Sequence, residues 1–219
     1  MRKISKGVSP KWFENWKEDY HKNNGVAPMY DDLDIVTRRK LRKELAIEQG
    51  YICCYCMKRI EQDGSHIEHF RPREKYGEES LEYDNMFASC DGDEKEAQQI
   101  YWHCDTKKDN WFDERMPKPT DADYERCVKY HIDGKVSPFH ECNDSRYEIE
   151  KSMIKHLGLD ALYLIRNRRK AIEASELMDE AEYTVSDFMD FIRYYDVMHC
   201  GRYEEYCGVI IYLMNELIS

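Results

Sequence analysis

The residue types best suited to chemistry gather in the middle of the chain. Cys53 and Cys56 have two residues between them, a spacing that lets two thiolates grip one tetrahedral zinc ion from a tight knuckle. A redox use of the pair needs a surrounding β-α-β pattern, and none flanks it. A Cys2His2 finger fails on register: His69 follows Cys56 at a suitable distance, but the positions for a second histidine hold Arg73, Glu74 and Lys75. Cys90 and Cys104 make the better second pair. Cys53, Cys56, Cys90 and Cys104 are therefore the expected zinc ligands, with Cys54 and His103 near enough in sequence to substitute.

Between the two cysteine pairs lies Ile67-Glu68-His69-Phe70, followed by Asn85 and by Cys104-Asp105-Thr106-Lys107-Lys108. An acid-histidine pair flanked by zinc knuckles, then an asparagine, then a polar helix, resembles the HNH nuclease arrangement. Phosphodiester hydrolysis needs a water made nucleophilic at neutral pH, and a histidine is suited to be the base. A divalent cation stabilises the charge that develops on the phosphate. The resemblance implies His69 as the base, with Asn85 orienting its imidazole. It implies Glu68 and Asp105 as ligands of a catalytic Mg²⁺ or Mn²⁺. Many zinc-bound members have an amide where this chain has Asp105. Lys108, three residues on and on the same helical face, is expected to approach a phosphate, and Arg71 and Arg73 to lie beside the scissile one. Successive residues of a strand point to opposite faces. Glu68 and His69 therefore share a site only where the strand bulges or ends, and Pro72 suggests an ending. His66, three residues before His69, is a lesser candidate for the same site.

A longer order of motifs extends the likeness: Gln-Gly-Tyr-Ile-Cys-Cys-Tyr-Cys, Ile-Glu-His-Phe-Arg-Pro, Tyr-Asp-Asn, Ser-Cys and His-Cys-Asp-Thr-Lys-Lys-Asp-Asn. Together they resemble the PtuB-type HNH endonucleases of Septu anti-phage defence and of related retron systems, over about residues 1–175. The resemblance implies a bacterial cytoplasmic nuclease that works with a PtuA-like ATPase related to ABC and SMC-type proteins and cuts nucleic acid, phage DNA first of all. RNA, such as tRNA, is an alternative substrate. A zinc-stapled adaptor that only docks the ATPase is an alternative of another class.

The composition fits a need for a partner. The chain has 219 residues, with 33 Lys and Arg against 44 Asp and Glu, a net charge of −11. Non-specific nucleic-acid affinity comes mainly from cations that neutralise phosphates, so this chain is poorly made to hold DNA alone. Its cations are local: Arg38 to Lys43, Arg71 with Arg73, and Arg166 to Lys170. The first run reads as a solvated face or a contact with phosphates or a partner, the last as a structural or partner face. The nine cysteines, an odd number without a secretory leader, suggest reduced thiols. No apolar run approaches the ~20 residues of a membrane helix.

The elements that must position these residues read as mainly α: a helical scaffold with an inserted, zinc-stapled ββα-metal (HNH, or His-Me finger) nuclease core. A helical region covers 1–50, the core with its knuckles 51–115, and a second helical region 116–219. Ser9-Pro10 predicts a capped helix start before Trp12, Phe13 and Trp16. A second helix is expected over 31–49. Ile60 and Ile67 flank Asp63-Gly64, which predicts a hairpin turn. A short helix falls within 101–111 and a small hairpin turns at Asp133-Gly134. The tail predicts a helix over 146–157 ended by Gly158, and a helix capped by Asp160 carrying Leu162, Ile165, Ile172 and Leu177. Thr184 and Asp187 predict a capping box for a helix reaching His199, and the last helix spans 202–218.

Overall fold

The computed structural model describes residues 1–61, 64–93, 98–175 and 183–218. Helices carry most of the regular structure, with two small antiparallel sheets, so the fold is mixed α/β rather than mainly α. The helices are α1 (Lys11–Asn24), α2 (Ile35–Glu48), α3 (Cys104–Lys108), α4 (Tyr147–His156), α5 (Leu162–Glu173), α6 (Val185–Asp196) and α7 (Cys207–Leu217). Strands β1 (Ser65–His69) and β2 (Met86–Cys90) form one sheet; β3 (Val128–Tyr130) and β4 (Val136–Pro138) form the other.

One apolar cluster runs through the described chain. It joins Phe13 of α1, Leu41 and Leu45 of α2, Met86 and Phe87 of β2, Met153 of α4, Leu164 and Ile172 of α5, and Val209, Ile210 and Met214 of α7. Helix α2 begins where Asp34 accepts a hydrogen bond from Thr37 N at 2.8 Å, satisfying one of the first-turn donors. It buries Leu41, Leu45 and Ala46 at helical spacing and packs across the β1–β2 sheet. At its end the Gln49 side chain is buried and fully used. Its Nε2 donates to Ile52 O (2.9 Å) and Ala88 O (2.8 Å), and its Oε1 accepts from Ala88 N (2.7 Å). This amide fixes α2 to β2 and so sets the distance between the helix and the strands.

Several sequence expectations are met. Gly158 ends α4 with φ +56°, and a Cβ there would lie 2.6 Å from Trp102 O, so only glycine fits. Thr184 and Asp187 form a reciprocal capping box. Buried Arg168, in the Arg166 to Lys170 run, is structural: its Nε donates to Gly134 O and its Nη2 to Leu159 O, both at 2.7 Å.

Others are corrected. Asp63 and Leu177 lie outside the described residues. The strand that follows Gly64 is β1, but it pairs with β2, across the long connection 70–85, in the register Glu68↔Phe87 and His69↔Met86. Among the described residues of the knuckle before it, the β-pairing is an isolated bridge, Ile52↔Arg59. The strand after Gly64 is thus paired with a segment that follows it in sequence and not with the segment before it. Pro10 rather than Ser9 takes the N-cap position of α1, and Ala161 rather than Asp160 that of α5, neither with a side-chain cap. Helix α6 stops at Asp196, before His199, and α7 starts at Cys207, after a left-handed Tyr206.

Candidate active site and metal centre

The four expected cysteines come together. Cys53 and Cys56 sit in the knuckle before β1, Cys90 ends β2 and Cys104 opens α3. Their sulfur atoms all lie within 4.8 Å of one another, and all four residues are buried. Tetrahedral zinc with Zn–S bonds of about 2.3 Å needs sulfurs about 3.8 Å apart, and Cys56 Sγ and Cys90 Sγ are separated by 3.8 Å. Main-chain N–H groups of Tyr55 and Lys58 donate to Cys53 Sγ and Cys56 Sγ, at 3.5 and 3.4 Å. Such donors orient sulfur ligands and disperse their charge. Against the effect of burial, hydrogen bonds from Cys104, Cys54, Cys56 and Cys90 hold the Cys53 thiol well below its ordinary range. The cluster could hold a structural zinc ion. Cys54 and His103 stand outside this set of four. Cys54 is a buried core residue, and the His103 ring stacks on Tyr163 with its Nδ1 3.1 Å from Tyr101 O.

Beside the cluster, β1, α3 and the loops before α2 and after β1 enclose an open cleft of about 740 Å³. His66, Glu68, His69, Arg73 and Asp105 line it, with Asp31 at the edge. Glu68 and His69 reach one cavity because β1 ends at His69. The ending is built by Asn85. Its Oδ1 accepts from Arg71 N (2.8 Å), and its Nδ2 donates to Arg71 O (3.1 Å) and Glu79 O (3.3 Å). The amide holds the turn just beyond the strand, so Asn85 does not orient the imidazole as expected. That part belongs to Ser80, whose carbonyl accepts from His69 Nε2 at 2.9 Å. A carbonyl can only accept, so Nε2 carries the hydrogen and Nδ1 the lone pair. The edge of one ring packs on the face of the other where Tyr30 meets His69, with centroids 4.7 Å apart. Burial lowers the His69 pKa to about 4, which keeps the ring neutral at pH 7.

Glu68 is buried and crowded with partners. Tyr55 Oη donates to its Oε1 at 2.6 Å, and Lys108 Nζ approaches the same oxygen at 2.8 Å. Burial, despite Lys108 and with the help of Asp105, pushes the Glu68 carboxyl well up. Against its own burial, Asp105 is held below its usual range by hydrogen bonds with His66 and Glu68. The His66 Nδ1 to Asp105 Oδ2 distance is 3.0 Å. Two neighbouring carboxyls repel when both are ionised, and a divalent cation held by both would relieve that repulsion. The oxygen donors of Glu68 and Asp105, with the adjoining His66, suit such a cation.

Two expected phosphate contacts are corrected. Lys108 is 1% exposed, and its Nζ also donates to His69 O at 3.1 Å. It braces the end of β1 and does not reach solvent. Arg71 faces the neighbouring surface, paired with Glu79 at 2.8 Å. Arg73 does line the cleft, bonded to Asp31 at 3.1 Å. Tyr55, Ser80 and Tyr30 went unnoticed in the sequence. Ser80 contributes a main-chain carbonyl, which no side-chain pattern announces, and Tyr30 arrives from a loop remote in sequence. Tyr55, enclosed in Cys-Cys-Tyr-Cys, is the one with a visible signal: a phenol fixed within a metal knuckle. No family model matches the chain, and no curated protein matches it.

Proposed function

We propose that the chain is a metal-dependent endonuclease of the HNH type, with β1, β2 and α3 as its ββα core, that hydrolyses phosphodiester bonds of nucleic acid. The observation that carries this reading is the convergence of His69, Glu68 and Asp105 on one cleft, with the lone pair of His69 at Nδ1. Glu68 and Asp105 would hold the catalytic Mg²⁺ or Mn²⁺, which supplies charge to the scissile phosphate.

The chain's own residues do the rest. His69 Nδ1 takes a proton from the attacking water, and the Ser80 carbonyl stabilises the imidazolium through Nε2–H. Asn85 fixes where β1 stops and hence where His69 points. Lys108 and Tyr55 hold the Glu68 carboxyl in place. The resemblance to PtuB-type proteins supports phage DNA as substrate and a PtuA-like ATPase as partner, and the charge of −11 supports a need for that partner.

The test is cleavage of DNA and of RNA by the chain, with and without such an ATPase, over a range of Mg²⁺ and Mn²⁺. His69→Gln should lower turnover by about 10²-fold or more while keeping the fold and the zinc. Asp105→Ala should weaken the response to added cation. Wild-type rates in His69→Gln would overturn the reading, and cleavage of RNA alone would move the substrate and keep the site.

A further inference from the structure

The basic run on α2 is not absorbed by the catalytic reading, although it comes close to the cleft. The Tyr30 ring is the meeting point. One side of it contacts His69. Two guanidinium groups lie over its face, Arg73 at 4.3 Å and Arg38 at 4.9 Å from the centroid. Arg42 is one helical turn beyond Arg38 and so shares its side of α2. Burial raises the Tyr30 pKa, Arg38, Arg73 and Arg42 oppose the shift, and Asp105 adds to it. The charges of the α2 arginines and of the candidate active site thus act on one ring.

This surface is only partly neutralised. Asp31 bonds Arg73 at 3.1 Å and lies 3.9 Å from Arg38. Its side chain is 87% exposed, and an ion pair so open to water contributes little stability and exchanges readily. Arg38 Nη2 also donates to the carbonyls of Tyr30 (3.3 Å) and Asp31 (3.2 Å), which fixes its direction, while its buried Nε has no partner. Among the described residues Arg42 makes no ion pair. Glu74 and Asp31 are the acidic groups on this side of the cleft.

We infer that Arg38, Arg42 and Arg73, gathered around Tyr30, form a phosphate-binding wall along which the nucleic-acid backbone leaves the candidate active site, with Asp31 as the internal anion that the substrate displaces. The inference rests on the endonuclease reading for its direction and on the Tyr30 cluster for its residues. Planar guanidinium groups bond phosphate oxygens in pairs. Each neutralised phosphate releases counterions, so affinity through such a wall falls steeply with salt. A strand held here would carry its next phosphates away from the acidic pair Glu68 and Asp105. This explains how a cleft built for a cation can also serve a polyanion.

The experiment measures fluorescence anisotropy of labelled DNA duplex, single-stranded DNA and RNA of one sequence. It uses the full chain with Ca²⁺ in place of Mg²⁺, from about 50 mM salt upward. Arg42→Ala should weaken binding about threefold to tenfold and reduce the slope of log affinity against log salt by about one. Asp31→Asn should tighten binding, an opposite sign that misfolding cannot imitate. The three probes report which backbone the wall prefers. Cleavage by His69→Gln is measured in parallel. If His69→Gln loses cleavage while Arg42→Ala and Asp31→Asn bind as the wild type does, the wall is overturned and the nuclease stands. If the two variants shift affinity as stated but no cleavage depends on His69, the wall stands without the nuclease. No binding by the wild type or Asp31→Asn at the lowest salt also overturns it and leaves these arginines to an acidic protein surface.

Discussion

His69 is the residue whose environment makes the sharpest statement. Its folded imidazole resists protonation down to about pH 4, whereas an unfolded one takes its proton near 6.5. Between those values the unfolded chain binds more protons, so stability falls as pH drops. Lowering the pH from 7 to 5 should cost about 2 kcal/mol through this residue alone. Urea unfolding of the wild type and of His69→Gln at both pH values checks it: the variant should lose distinctly less, and equal losses would place the acid sensitivity elsewhere. Lys108 supports a second prediction. Removing the ammonium in Lys108→Met leaves a buried carboxyl with one fewer partner and should destabilise by about 3 kcal/mol. Adding Glu68→Gln to it should recover part of that loss, because the amide needs no counter-charge. Additive losses in the double variant would show that the pair is not coupled. At this scale the sequence was informative for side chains that must be acid, imidazole or thiol: the four cysteines converge as their spacing suggested, and Glu68, His69 and Asp105 line one cleft, as the resemblance implied. It was misleading for Lys108, because spacing shows which face a residue shares but not how deeply that face is buried.

Among the elements, the short β1 depends on what stops it. Asn85 satisfies the main chain of Arg71 in both directions and the carbonyl of Glu79. Asn85→Asp keeps one acceptor and loses both donations, at a cost of about 2 kcal/mol. Thermal unfolding should report that loss. Under the proposed function, cleavage should also fall, although Asn85 is not placed in contact with substrate; a stable variant with full turnover would separate the turn from the chemistry. The helices were legible where caps and glycines punctuate them, as at Thr184 and Gly158. The partner of β1 was not, because Asp63-Gly64 is a local signal whereas β1–β2 pairing closes a loop over residues 70–85. Such pairing is decided by the tertiary packing of Met86 and Phe87 under α2, which no local pattern encodes.

For the whole molecule, the sulfur cluster is the tie between parts that the sheet alone does not join. It brings the knuckle after α2, the end of β2 and the start of α3 to one point. Because Cys104 immediately precedes Asp105, whatever holds the sulfurs also places the carboxylate. Metal analysis of the purified chain should give about one zinc. Cys104→Ser should lose that zinc and lower the unfolding temperature. Under the proposed function, it should also weaken Mn²⁺ binding at the cleft, measured by calorimetry. Unchanged zinc content in Cys104→Ser would remove this residue from the ligand set.

The amide of Gln49 has a consequence for the protein in a crowd of its own copies. Ala88 lies at the middle of β2, and its N–H and carbonyl point away from β1, where a further strand could pair. Gln49 occupies both groups as a neighbouring strand would, and Cys54 N adds a bond to the same carbonyl at 3.0 Å. One side chain therefore blunts an edge that would otherwise serve as a template for chain-to-chain pairing. Gln49→Leu should leave the Ala88 N–H unpaired and its carbonyl with the Cys54 bond alone, and raise turbidity on mild heating, before global unfolding begins. The amide that sets the spacing of helix and sheet would then also guard the protein against self-association.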